Sequence, residues 1–177
     1  MIGFSLAQLG ATLVMPAHAQ ALIDNPGWLV GFLWTFALVC LMWWNHNRIF
    51  RAGFKATPAA LVLNFVLLAS IVLIVYFAQV FARVSTLHDG LVAARLYFAA
   101  LGLSAIFTAL LYYVNLGVTR GAIVNAVSGS IQCAGVLVSL LWGDRIFELS
   151  MMGMLVPFAW IFAVLVARRV PQGVPVA

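Results

Sequence analysis

The feature that most constrains this chain is a succession of long apolar runs whose charged residues lie at the ends. The runs cover about residues 2–22, 28–44, 58–82, 91–114, 122–142 and 147–167. A bilayer core of about 30 Å is crossed by about 20 apolar residues in an α-helix. Each run is apolar on every side, which fits a helix in lipid and not the alternating pattern of a barrel strand. The expected fold is therefore all-α: a polytopic integral membrane protein with six transmembrane helices. They would form one domain over residues 1–170, followed by a disordered Pro/Gly-rich tail over 171–177. Pro58 suits the first turn of its helix, where a missing N–H costs nothing.

Composition narrows the reading further. Hydrophobic residues make up 66% of the chain and charged residues 7%, against roughly 25% charged in a soluble domain. Such a chain cannot cover a water-facing surface. The net charge of +5 does not point to nucleic acid, because the cations are spread over the run ends and do not gather on one wet face. With the N-terminus inside, Arg48, Arg51, Lys55, Arg120, Arg168 and Arg169 fall on the cytoplasmic side and Arg83, Arg95 and Arg145 on the other. That bias favours both termini in the cytoplasm. A competing start exists: Ala17-His18-Ala19 resembles a signal-peptidase site, and cleavage before Gln20 would leave five helices. No Lys or Arg precedes the first run, which argues for retention. Cys40 and Cys133 each lie inside an apolar run and read as small hydrophobes.

The second run stops at a polar cluster, Trp43-Trp44-Asn45-His46-Asn47-Arg48. Tryptophans followed by an arginine make an interfacial belt with a basic anchor, but Asn45, His46 and Asn47 exceed what a belt requires. Asn64, more than a turn inside the third run, is the natural partner, since an amide at that depth is costly unless paired. The stretch from Trp43 to Phe50 resembles the Trp-x-Asn-His-His-Arg-Leu-Phe signature of short bacterial members of the transmembrane protein 175 family, which are potassium channels. Leu63-Asn64-Phe65-Val66-Leu67-Leu68 is similar to that family's third-helix stretch. The resemblance implies a bacterial inner-membrane homotetramer in which bulky apolar side chains of the first helix make the filter. No Thr-Val-Gly-Tyr-Gly filter occurs here.

The first run departs from the family. Its expected Arg-x-x-x-Phe-Ser-Asp survives only as Phe4-Ser5, with Leu6 in the place of the Asp and Asn47 in the place of the second His. Leu6, Leu9 and Leu13 are geometric candidates for the pore constriction. The expected function is an oligomeric, potassium-permeable leak channel subunit; the alternative is a non-conducting helical scaffold or assembly protein. The implied partners are the bilayer, further copies of the chain and potassium, with no cofactor and no nucleic acid.

Two further patterns concern packing. In the fifth run Ala122, Ala126, Ser130 and Ala134 recur every four residues, a stripe that lets another helix approach closely. Beside it Asn125, Ser128, Gln132 and Ser139 make a polar stripe. In the fourth run Ser104, Thr108 and Tyr112 share one face, as backbone-bonded hydroxyls and an interfacial tyrosine would. His88-Asp89-Gly90 reads as a turn before that run. Enzyme signals are absent: the acids Asp24, Asp89, Asp144 and Glu148 fall at run ends or loops, and no serine has a base at useful spacing. His18, His46 and His88 have no metal-ligand spacing.

Overall fold

The computed structural model describes residues 27–83, 87–142 and 149–168. Among these residues the regular structure is entirely helical: α1 (Gly27–Arg51), α2 (Pro58–Arg83), α3 (Leu87–Leu116), α4 (Arg120–Trp142) and α5 (Leu149–Arg168). They correspond to the second to sixth apolar runs; the first run and the tail lie outside the described residues. Among the described residues, three stretches, not the six expected of the whole chain, are long and apolar enough to cross a membrane: Pro58–Phe81, His88–Leu116 and Arg120–Leu141. A shorter apolar helix covers Val156–Arg168. The described residues are thus all-helical, as a multi-pass membrane protein requires.

Two boundaries differ from the sequence reading. The helix does not stop at the polar cluster; α1 carries Asn45, His46 and Asn47 inside its last two turns and ends at Arg51. The His46 side chain finds a partner on α2 and the Asn45 carbonyl one on α3, so nothing forces the backbone out of helical form. The turn expected at His88-Asp89-Gly90 is the first turn of α3. An acidic residue there faces the positive end of the helix dipole, which favours helix over turn.

Local sequence sets the remaining ends. Thr57 Oγ1 accepts a hydrogen bond from the Ala60 amide at 3.2 Å and Thr119 Oγ1 from the Ala122 amide at 3.1 Å. Each threonine caps the helix that starts one residue later. Gly117, with φ of 73°, closes α3 in the left-handed region that glycine enters without strain.

The central helix is α3, which packs against α2 on one side and α4 on the other, while α5 leans mainly on α4. One apolar core joins α1, α2 and α3 through Val39, Ile49, Leu67, Ile71, Val75 and Leu111. A second gathers Ile74, Ala94, Tyr97, Phe98, Leu101 and Val156. The α3–α4 contact is the tightest. A Cβ placed on Gly129 would lie 2.7 Å from the Gly102 carbonyl oxygen and 3.0 Å from the Ile106 nitrogen. A Cβ on Gly102 would meet Cys133 Sγ at 2.7 Å. Glycines at this crossing let two backbones touch, the usual way apolar helices gain contact in lipid.

Candidate functional site

The polar residues of α1 are drawn together by three helices at one end of the bundle. His46 Nε2 donates to Asn64 Oδ1 of α2 at 2.7 Å, a full-strength bond by length. Phe50, one turn along α1, has its ring centroid 4.5 Å from that of His46, and Phe54 stacks on Phe50 at 4.2 Å with the rings 6° from parallel. The imidazole is therefore held from two directions, by an amide and by an aromatic column. Asn45 contributes its backbone carbonyl, which accepts from Tyr112 Oη of α3 at 3.5 Å. Asn47 is half-buried, and Trp43 and Arg48 are exposed.

Further along, α1 lies parallel to α3 in a steady register. Thr35 Oγ1 and Tyr97 Oη share a hydrogen bond of 3.3 Å, and Ser104 Oγ donates to Met42 Sδ at 3.6 Å. These links are longer than the His46–Asn64 bond. The Ser104-Thr108-Tyr112 face divides its work. Thr108 bonds the Ser104 carbonyl on its own helix at 2.8 Å, while Ser104 and Tyr112 reach α1.

One residue that sequence reasoning missed completes the junction. Asn115 is 4% exposed. Its Nδ2 donates to the Leu111 carbonyl at 2.8 Å, and its Oδ1 accepts from the Lys55 amide at 2.7 Å. One side chain thereby fastens the α1–α2 loop to the end of α3. Its available signal was an amide at the end of an apolar run, just before Gly117. Arg95, placed by the sequence at a run end, lies two turns inside α3. It donates from Nε to Ser139 Oγ at 2.8 Å and from Nη2 to the Ser139 carbonyl at 3.1 Å. That carbonyl is in the last turn of α4.

The stripe singled out for packing is spread over different surroundings. Ala122 is buried in the first core, Ala126 is half-buried, and Ser130 and Ala134 are exposed on this chain. The closest approach to α3 is made by their neighbour Gly129. On the polar stripe, Asn125 bonds its own helix at Gly121, and Gln132 Nε2 donates to Ser128 Oγ at 3.2 Å. Gln132 is 5% exposed, and its Oε1 has no partner among the described residues. Phe4, Ser5, Leu6, Leu9 and Leu13 lie outside the described residues, as does the cleavage-like Ala17-His18-Ala19 stretch. Among the described residues, no group of His, Cys, Asp and Glu is arranged to hold a metal ion.

The ordered junction coincides with what comparison with known proteins recovers. Residues 6–74 match the family model of the endosomal/lysosomal potassium channel TMEM175. The TMEM175 match takes in all of α1, its polar cluster, the α1–α2 loop and α2 as far as Ile74, so both partners of the His46–Asn64 bond lie inside it. The family is one of potassium channels, not of enzymes. Searches among curated proteins and among solved structures gave no match. Helices α3, α4 and α5 lie beyond the matched segment.

Proposed function

We propose that the whole chain is a subunit of a TMEM175-type potassium channel: a homo-oligomer, on the family pattern a tetramer, of one six-helix domain per subunit. The observation that carries this reading is the family match over residues 6–74, in which the Trp43–Phe50 signature is present and its histidine is bonded to Asn64. The first run would line the central axis, with Leu6, Leu9 and Leu13 as the constriction. A ring of apolar side chains can control ion passage by admitting or expelling water. His46, Asn64 and the ring column would hold α1 and α2 in one register, so that the segment preceding α1 emerges at a fixed place. Conduction would be of the leak type, and the subunit would sit in a bacterial inner membrane with both termini in the cytoplasm.

Leu6 in place of the family's acidic residue favours a second reading, a scaffold that keeps the helices and does not conduct. Ion flux separates the two. Purified protein in liposomes should take up potassium faster than sodium and faster than empty vesicles do. A folded, inserted protein with no flux above the empty vesicles would support the scaffold.

A further inference from the structure

The end of the bundle that carries the His46 junction is also strongly and one-sidedly charged. Arg48 and Arg51 occupy the last turn of α1, Lys55 the loop after it, and Arg120 the first position of α4; all four are exposed. Among the described residues no carboxylate stands at this end, since Asp89 is in the first turn of α3, at the other end of that helix. Arg48 and Arg51 have an ordinary explanation, because cations suit the negative end of a helix dipole. Arg120 does not share it. A cation at a helix N-terminus faces the positive end of the dipole, where an anion belongs.

These charges do not hang on independent loops. The Lys55 amide is fixed to buried Asn115 at 2.7 Å, two residues before the Gly117 turn that leads to Arg120. Thr119 caps α4 directly before Arg120, and the Tyr112 ring packs where a Gly121 side chain would stand, 3.0 Å from its Cβ position. The α1–α2 and α3–α4 loops thus form one pinned corner, with Lys55 and Arg120 on its two halves. Trp44 and Phe50 of α1 are both exposed, and Trp44, Arg48 and Arg51 share a helix face by spacing.

We propose that this corner is a binding site for the phosphate headgroup of an anionic phospholipid, with acyl chains lying along the apolar flank that begins at Trp44 and Phe50. The inference rests on the membrane reading and is independent of conduction. The headgroup supplies the negative charge that Arg120 and Lys55 lack within the described residues, at the depth where tryptophans mark the interface.

The test uses the full chain in phosphatidylcholine micelles with phosphatidylglycerol added, reading lipid retention by native mass spectrometry and the thermal midpoint. The parent should retain phosphatidylglycerol in preference to phosphatidylcholine and gain stability from it. At on the order of fivefold per cation near a lipid surface, Lys55→Gln/Arg120→Gln should lose more than tenfold of that preference. Arg168→Gln, a change of one charge on α5, should lose no more than about fivefold by the same scale. Inorganic phosphate at matching concentration should not stabilise. Absence of preference in the parent, an equal loss in Arg168→Gln, or equal stabilisation by inorganic phosphate would each overturn the proposal.

Discussion

Replacing Asn64 by leucine should loosen α1 from α2, and the size of the effect follows from the geometry. The His46–Asn64 bond is 2.7 Å long and half-buried, while the other side-chain ties of α1 to α3 run from 3.3 to 3.6 Å. Losing one such bond and leaving the imidazole without its partner costs about 1–2 kcal/mol. His46→Ala removes the same bond and also the ring contact with Phe50 at 4.5 Å, which adds about 0.5–1.5 kcal/mol. The double variant separates the bond from everything else. Interhelical hydrogen bonds in membrane proteins average about 0.6 kcal/mol of coupling and reach about 1.7, and the short length here places the pair in the upper half of that range. The assay is reversible unfolding in mixed micelles titrated with a denaturing detergent, followed by tryptophan fluorescence. Strict additivity of the two single changes, within about 0.3 kcal/mol, would refute the claim that this bond ties the helices.

Two other changes probe α4. Gly129→Ala should destabilise the protein by about 1–3 kcal/mol, because the new methyl meets backbone atoms at 2.7 and 3.0 Å that cannot rotate away; unchanged unfolding in the same assay would contradict that. Gln132→Met should be neutral to within about 0.5 kcal/mol or stabilising, since it removes a buried oxygen that has no partner among the described residues. A loss above about 2 kcal/mol would show that this oxygen is satisfied in the membrane.

Much of the architecture was legible because apolar length is decisive in a bilayer: the second to sixth runs became α1 to α5 with ends within a few residues, α1 excepted. The second apolar run ends at Trp44, seven residues before the helix stops, at Arg51. Hydropathy registers Asn45, His46 and Asn47 as polar but carries no information about partners such as Asn64 and Tyr112. The His46–Asn64 pairing was readable, since an amide deep in an apolar run needs a partner and the polar cluster was the nearest offer. Asn115 was not, because its partner is a backbone amide sixty residues away, and backbone donors leave no mark in a sequence. Arg95 misled for a related reason. A cation near the start of an apolar run reads as an anchor, whereas here it reaches across to the Ser139 carbonyl of α4. The stripe through Ala122 and Ser130 drew notice by its regular spacing, while the close approach falls on Gly129, which has no four-residue repeat to advertise it.

The measurement that bears most directly on the central claim is the reversal potential of the purified protein in a planar bilayer, with potassium on one side and sodium on the other. A TMEM175-type potassium channel should show single-channel or macroscopic current reversing toward the potassium equilibrium potential. A current that reverses near zero, or no current from protein shown to be folded and inserted, would contradict the account.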